Sequence, residues 1–166
     1  MTDPGAGADV APDLTHLRPD GSAHMVDVTG KATTKRRAVA QAVLVTRPEV
    51  VRAVISGDLP KGEAVGTARI AGIMAAKRTS SLIPLCHPLP IGRIEIDIAG
   101  ADDRLTVVAS VSTTGVTGVE MEALTAASVA ALTLYDMVKA VDARAVITEV
   151  LVREKQGGKS GDWVRA

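Results

Sequence analysis

Asp136 and Lys139 form the residue pair whose types and spacing best suit proton transfer. In a helix, residues three positions apart lie on the same face, so the carboxylate and the ammonium can touch. One interpretation is an ordinary helical ion pair, which contributes about 0.3–0.5 kcal/mol. The other is an acid–base pair, because a partly buried carboxylate beside an ammonium can have its pKa, or that of its partner, moved toward neutrality.

Two further acids, Glu120 and Glu122, begin the helix predicted at 119–141. A favourable interaction with the helix dipole could by itself account for both. Between Glu122 and Asp136 the segment carries no charge, whereas an exposed helix face normally carries several. We therefore expect this helix to be buried on both sides, against a sheet on one and against another subunit on the other.

Cys86 and His87 are adjacent in a segment, 80–90, whose three prolines exclude a regular helix. His87 could carry a proton, donate a hydrogen bond or merely anchor the loop. Cys86 is the single cysteine, and such a residue is more often a small buried hydrophobe than a nucleophile. Since the chain has three histidines and no second cysteine, we expect neither a structural zinc site nor an iron–sulfur cluster within it.

Several cationic side chains in or beside predicted loops could hold a phosphorylated ligand: Lys61, Lys77, Arg78 and Lys159. Lysines are mostly solvated surface residues, and Lys77 and Arg78 also suit the C-terminal end of a helix. The chain has neither a Walker-type glycine loop nor a dinucleotide fingerprint. If a phosphate binds, side-chain cations must hold it. Lys31 is predicted to be an ordinary surface residue.

The composition excludes several classes of function. The 166 residues carry 19 basic and 19 acidic side chains, so no net positive field attracts nucleic acid. One Trp, one Tyr and no Phe offer few rings on which single-stranded bases could stack. The uncharged run at 123–135 is shorter than the about 20 residues that span a bilayer. With a lone cysteine and no visible signal peptide, we expect a cytoplasmic protein.

The chain is predicted to hold a flexible tail over residues 1–13 and one catalytic domain over residues 14–166. Alternating apolar side chains indicate the main strands at 35–46, 94–98, 105–111 and 145–152. A short extra N-terminal strand is predicted at 23–28.

Helices are predicted between these strands. The capping-box spacing of Thr46 and Glu49 predicts a short helix that Gly57 ends. A second helix is predicted at 64–78, where Gly66 and Gly72 among alanines indicate tight packing. The resulting order is the ferredoxin-like split β-α-β pattern, an α+β fold whose antiparallel sheet has helices packed on one face. Because this fold hosts many functions, it does not select one.

Six segments carry recognisable motifs: AHMVDV at 23–28, TARIAGI at 67–73, AKRT at 76–79, LIPLCHP at 82–88, GVEMEALT at 118–125 and LYDM at 134–137. Together they resemble the molybdenum cofactor biosynthesis protein C family, the cyclic pyranopterin monophosphate synthases. The similarity runs from about residue 14 to the C-terminal loop.

The resemblance assigns roles to the residues that match the family's motifs. It implies that the catalytic residues are Asp136 as the acid–base residue, paired with Lys139, together with His87 and Lys61. It implies that the substrate-binding residues are Leu85, Cys86, His87, Glu120, Met121, Glu122, Lys77 and Lys159. One departure is Val116, which stands where we expect a basic residue.

The resemblance also implies a reaction and an assembly. The 3′,8-cyclo form of dihydro-GTP is converted to cyclic pyranopterin monophosphate and pyrophosphate. No electrons leave the substrate, so no redox cofactor is expected, although Mg²⁺ could assist at the triphosphate. The implied assembly is a hexamer, a trimer of dimers, with active sites at subunit interfaces.

Two alternatives compete with this enzyme. A non-catalytic nucleotide-binding homologue with a regulatory role would keep the lysines but could lose Asp136 or Lys139, and both are present. An RNA-binding ferredoxin-like module would need aromatic side chains on its strands, and the predicted strands have none.

Overall fold

The computed structural model describes residue 18, residues 20–159 and residues 161–166. The tail predicted at residues 1–13 lies outside the described residues. The helices are α1 (Pro48–Ser56), α2 (Ala64–Ala76), α3 (Thr79–Leu82) and α4 (Glu120–Val138). The strands are β1 (Thr34–Val45), β2 (Ile91–Ala101), β3 (Arg104–Gly115), β4 (Val146–Gln156) and β5 (Trp163–Val164).

The five strands form one antiparallel sheet in the order β2-β3-β1-β4-β5. β1 and β3 are central, and their register runs without a shift from Thr34 opposite Gly115 to Val45 opposite Arg104. The order of the first four strands is that of a split β-α-β unit, in which β2 and β4 flank the central pair. The predicted ferredoxin-like α+β fold is confirmed.

Apolar side chains at every second position of the central strands decide which side of the sheet carries the helices. On β1 and β3 every second side chain is buried against the helical layer: Ala38, Ala40, Ala42, Leu44, Leu105, Val107, Ala109 and Val111. These are the apolar positions that the sequence pattern predicts. Because four of them are alanines, α4 can lie close to the sheet.

Helix α4 is the centre of the core. It packs on β1, β3 and β4 and against the neighbouring helix α2, which itself contacts β2. Its small side chains are fully buried in these contacts: Ala123, Ala126, Ala127, Ala130 and Ala131. The uncharged character of the helix is therefore explained in part inside one chain. The expectation that its middle also faces another subunit stays a prediction, and Leu132 is exposed there.

The contact of α2 with α4 depends on Gly72. A Cβ at this position would come 2.8 Å from the backbone oxygen of Ala126 and would overlap the side chain of Ile96. The close packing predicted for Gly72 is confirmed. Gly66 instead lies in the first turn of α2, where its N–H donates to the Glu63 carboxylate at 2.7 Å.

Within the described part of the chain, α4 is also the helix that is long and apolar enough to cross a membrane. More than half of its apolar window is buried inside the protein. Its apolar surface is therefore largely used by the core.

The start of α1 differs from the prediction. Thr46 does not cap the helix, because its hydroxyl donates to the Asp142 carboxylate at 2.7 Å. Asp142 also accepts from the Arg47 N–H at 3.2 Å and so ties the end of α4 to the start of α1. Pro48 begins the helix with its φ already suitable, and Gly57 ends it in the left-handed conformation, as predicted.

Other predicted elements need correction. Residues 23–28 form no strand, since Ala23 makes one isolated bridge and residues 24–28 belong to no helix or strand. The helix predicted at 64–78 ends at Ala76, and one turn of helix, α3, forms within the proline-flanked segment. The last long strand continues to Gln156, and the short strand β5 beside it was not predicted.

We predict that Gly72→Ala destabilises the protein by about 1–3 kcal/mol, because the added methyl has no space between two helix backbones and Ile96. Urea unfolding followed by circular dichroism measures this change. The matched control is Gly30→Ala, where a Cβ meets nothing within 4 Å and φ is not in the left-handed region. Equal stability of the two variants would contradict the close approach of α2 and α4.

Candidate active site

A cavity of about 300 Å³ opens at the N-terminal end of α4. Three segments enclose it: residues 26–31, the loop between α3 and β2, and the start of α4. It brings together six of the predicted substrate-binding residues: Leu85, Cys86, His87, Glu120, Met121 and Glu122. Residues separated by more than thirty positions in the sequence therefore meet at one place. We call this space the α4 cavity.

Local chain geometry holds the two acids of the α4 cavity. Gly118 precedes the helix, and a Cβ there would overlap the carboxylate of Glu120. The glycine therefore lets this carboxylate fold back over the chain. Glu120 also pairs with Lys155 of β4, at 3.3 Å between Nζ and Oε1. Glu120 thus has a cationic partner on the sheet, whereas the side chain of Glu122 is buried in the protein.

Glu122 is the buried acid of the site, with 3% of its surface exposed. Burial raises the pKa of its carboxyl, and the nearby charge of Glu120 raises it further. Burial likewise raises the pKa of the Cys86 thiol, with the charge of Glu122 adding to the effect. A thiol whose pKa is raised stays protonated, so Cys86 fits the role of a neutral lining residue and not that of a nucleophile.

Residues 26–31 contribute side chains that the sequence argument missed. Lys31 is exposed, as predicted, but it also lines the α4 cavity and so lies beside the candidate site. Asp27 lies near His87, and its pKa is lowered by hydrogen bonds from the Thr29 hydroxyl and N–H, with the charge of His87 adding to them. A signal was present, because the motif at 23–28 matches the family and Lys31 follows it closely.

A second, larger groove of about 1030 Å³ continues from the α4 cavity. The two share Lys31, Thr117 and Gly118. The groove also contains Arg36 and the predicted residue Lys159. Because three cations line it, we call it the basic groove. Its positive charge and its length suit a chain of phosphate groups.

The backbone around Arg36 explains how the basic groove is built. The Arg36 guanidinium donates to the carbonyl oxygens of Gly115 at 3.1 Å and Val116 at 3.2 Å. Gly157 and Gly158 both have a φ of 84°, and a Cβ on Gly158 would overlap this guanidinium. The two glycines therefore bring the segment carrying Lys159 over Arg36. Val116 lacks a basic side chain, but its carbonyl holds one in place.

The opposite end of α4 carries the other predicted catalytic group. Lys139 Nζ lies 2.7 Å from Asp136 Oδ1. Lys61 Nζ pairs with the other carboxylate oxygen of Asp136 and donates to its backbone oxygen at 3.0 Å. Lys139 and Lys61 lower the pKa of Asp136 to about 2, chiefly through these hydrogen bonds. We call these three residues the Asp136 triad.

Within one chain, the Asp136 triad and the α4 cavity lie far apart. Glu122 and Asp136 are 14 positions apart on one helix, so they are separated by about 21 Å at a rise of about 1.5 Å per residue. Lys77 is exposed at the end of α2 and lines neither the α4 cavity nor the basic groove. The predicted residues thus fall into two clusters, with Lys77 outside both.

Within the described residues, no group of three or more His, Cys, Asp and Glu side chains is close enough to hold a metal ion. The cations of the basic groove are the groups placed to neutralise a phosphorylated ligand there.

Comparison with known proteins gives a consistent result. The MoaC family model matches residues 25–158. A protein of Corynebacterium efficiens named cyclic pyranopterin monophosphate synthase is 61% identical over 151 residues, which cover 91% of this chain and 97% of the relative. A Streptomyces coelicolor protein with the same name is 56% identical over 162 residues, or 98% of this chain and 95% of the relative.

A third relative, from Mycobacterium tuberculosis, is named cyclic pyranopterin monophosphate synthase 2. It is 56% identical over 153 residues, which cover 92% of both chains. The family match spans both clusters of site residues, from the segment before Lys31 to Gly158. The chain belongs to the MoaC family.

Proposed function

We propose that this protein is a cyclic pyranopterin monophosphate synthase of molybdenum cofactor biosynthesis. It converts the 3′,8-cyclo form of dihydro-GTP to cyclic pyranopterin monophosphate and pyrophosphate. The observation that carries the proposal is the continuity of the α4 cavity with the basic groove, which suits a ligand with a compact ring system at one end and phosphates at the other. Three relatives with that name share at least 56% of their aligned residues.

The geometry favours one orientation of this substrate. The α4 cavity has apolar walls from Leu85 and Met121 and polar groups from His87 and Glu122, a combination that suits a purine-derived ring. The basic groove offers Lys31, Arg36 and Lys159 to the triphosphate. Cations at a pyrophosphate leaving group stabilise the negative charge that develops as it departs.

Proton transfer would use two carboxyl groups whose pKa values are shifted in opposite directions. Burial raises the pKa of Glu122, so this carboxyl can donate a proton inside the α4 cavity. Asp136 is a carboxylate at neutral pH, and its hydrogen bond raises the pKa of Lys139. In the Asp136 triad the carboxylate is therefore unprotonated and paired with two lysine side chains. Asp136 can accept a proton once substrate phosphate draws a lysine away from it.

The chemistry needs no cofactor from the protein. Hydrolysis and rearrangement of the ring and closure of the cyclic phosphate transfer protons and phosphoryl groups but no electrons. Mg²⁺ could accompany the triphosphate as part of the substrate, as it does in many nucleotide sites.

The separation of the two clusters supports a site shared between subunits. A small molecule cannot contact groups about 21 Å apart along one helix, so the Asp136 triad of one subunit would complete the α4 cavity of another. A two-fold contact then produces two equivalent sites. Exposed apolar side chains beside the α4 cavity could be buried in this contact: Leu82, Leu85 and Met121. We propose a cytoplasmic hexamer, a trimer of dimers, in which residues 14–166 form the catalytic domain.

We predict that purified protein releases pyrophosphate from the cyclised dihydro-GTP and that Asp136→Asn lowers turnover by about 100-fold or more. Asn keeps the shape of Asp136, but it can accept a hydrogen bond from only one of the two lysines and cannot accept a proton. Pyrophosphate is measured by a coupled assay and the pterin product by mass spectrometry. If wild type binds the substrate without releasing pyrophosphate, the regulatory nucleotide-binding role takes its place.

We predict that Lys61→Gln and Lys159→Gln each lower kcat/KM by about tenfold or more, because each removes a charge-assisted hydrogen bond. The control is Arg104→Gln, an exposed cation that pairs with Asp103 at the far end of β3. Its kcat/KM should stay within about twofold of wild type. If all three variants are equally active, the two lysines do not contact the substrate.

We predict that two inactive variants, Glu122→Gln and Asp136→Asn, regain activity when they are dissociated and reassembled together. After random reassembly, about one quarter of the sites contain both a native Glu122 and a native Asp136. Activity should therefore reach about one quarter of wild type. Native mass spectrometry measures the mixing.

The control for this experiment is the mixture of Asp136→Asn with Lys139→Gln. Both changes fall in the Asp136 triad, so every reassembled site keeps at least one defect and no activity should return. Mixed oligomers of Glu122→Gln and Asp136→Asn without activity would show that each site lies within one chain.

A further inference from the structure

The face of the sheet that carries no helices has a second basic cavity, of about 350 Å³, at the end of β1 and β3. Its side chains come from four strands: Lys35, Arg37, Arg93, Ser112, Thr114 and Gln156. We call it the sheet-end cavity. These six side chains line neither the α4 cavity nor the basic groove, although Arg36 borders both the sheet-end cavity and the basic groove.

The strand register explains why these side chains converge. Arg37 pairs with Ser112 and with Gln156, and Ser112 pairs with Arg93, so one row crosses the sheet. Lys35 lies two residues from Arg37 and therefore on the same face, opposite Thr114. That face is the reverse of the one on which Ala38 and Ala40 meet the helices.

Of the three cations Lys35, Arg37 and Arg93, two have carboxylate partners outside the lining of the sheet-end cavity. No acidic residue is among its lining residues. Arg93 contacts Glu95 at 2.6 Å and Arg37 contacts Glu154, but a guanidinium has five N–H donors, so each keeps donors for a ligand. In the described part of the chain, Lys35 has no carboxylate within ion-pair distance.

Clustered cations on neighbouring strands repel one another and cost stability unless an anion lies between them. Arg93 and Arg37 flank the β3 strand, so their backbones are about 10 Å apart, and long side chains can close on a ligand from both sides. Guanidinium groups match the oxygens of phosphate with paired hydrogen bonds. The hydroxyls of Ser112 and Thr114 add neutral donors at the floor.

We propose that the sheet-end cavity binds a diphosphate anion, with inorganic pyrophosphate as its simplest form. Two phosphoryl groups fit the spacing of Arg93 on one side and of Arg37 with Lys35 on the other. The site is separate from the one in which the triphosphate of the substrate is placed. The proposal does not depend on the proposed reaction, because it concerns binding and not turnover. If that reaction occurs, its released product is a ligand for this second site.

Calorimetric titration of pyrophosphate tests the proposal in buffer free of phosphate and divalent cations. Lys31→Gln/Lys159→Gln first removes two cations of the basic groove. This double variant should still bind one pyrophosphate per chain. Adding Lys35→Gln/Arg93→Gln should weaken that binding by about tenfold or more, because two charged donors are lost. Adding Arg104→Gln in place of that second pair should leave the affinity unchanged.

Two further measurements keep the test independent of folding. Pyrophosphate should raise the melting temperature of Lys31→Gln/Lys159→Gln but not that of the fourfold variant, whose circular dichroism spectrum should be native. Orthophosphate should bind the double variant more weakly than pyrophosphate does. The proposal is overturned if the double variant binds no pyrophosphate, if the fourfold variant binds it as tightly, or if orthophosphate binds equally well.

Discussion

The burial of α4 between the sheet and α2 is the constraint on which the other features depend. Small residues make much of this contact: alanines on α4 and β1, and Gly72 on α2. Small residues bring the backbones close together, and a close-packed helix cannot slide without leaving voids or clashing. Both ends of α4 are therefore fixed relative to the strands, and each end carries acids that its middle excludes.

The two ends place a carboxylate in opposite environments. Glu122 enters the protein beside another acid, and desolvation favours its protonated form. Asp136 lies at the surface between Lys61 and Lys139, and these ammonium groups favour its ionised form. One helix thus carries a carboxyl with a raised pKa at its N-terminal end and a stabilised carboxylate at its C-terminal end. In the proposed shared site, an enzyme that moves several protons could use both.

Much of the fold follows from local patterns in the sequence. The alternation Ala38, Ala40, Ala42, Leu44 predicts both β1 and its buried face, because a strand places every second side chain on one side. Thr46 was misjudged because its hydroxyl has a distant partner, Asp142, that a capping-box rule does not include. The segment 23–28 alternates like a strand, yet it finds no neighbouring strand with which to form a ladder. Such errors arise from contacts between residues that are far apart in the sequence.

Contacts between residues far apart in the sequence also decide which charged side chains lie at the candidate site. Sequence position suggested that Val116 leaves the site without an expected cation and that Lys31 is remote from it. In space, the Arg36 guanidinium donates to the Val116 carbonyl, and Lys31 joins the α4 cavity to the basic groove. A phosphate responds to the positive charge within a few ångströms and not to which strand carries it, since Coulomb interactions depend on distance and dielectric. The effect of replacing a family's basic residue at one position can therefore be judged only after the neighbouring cations have been located.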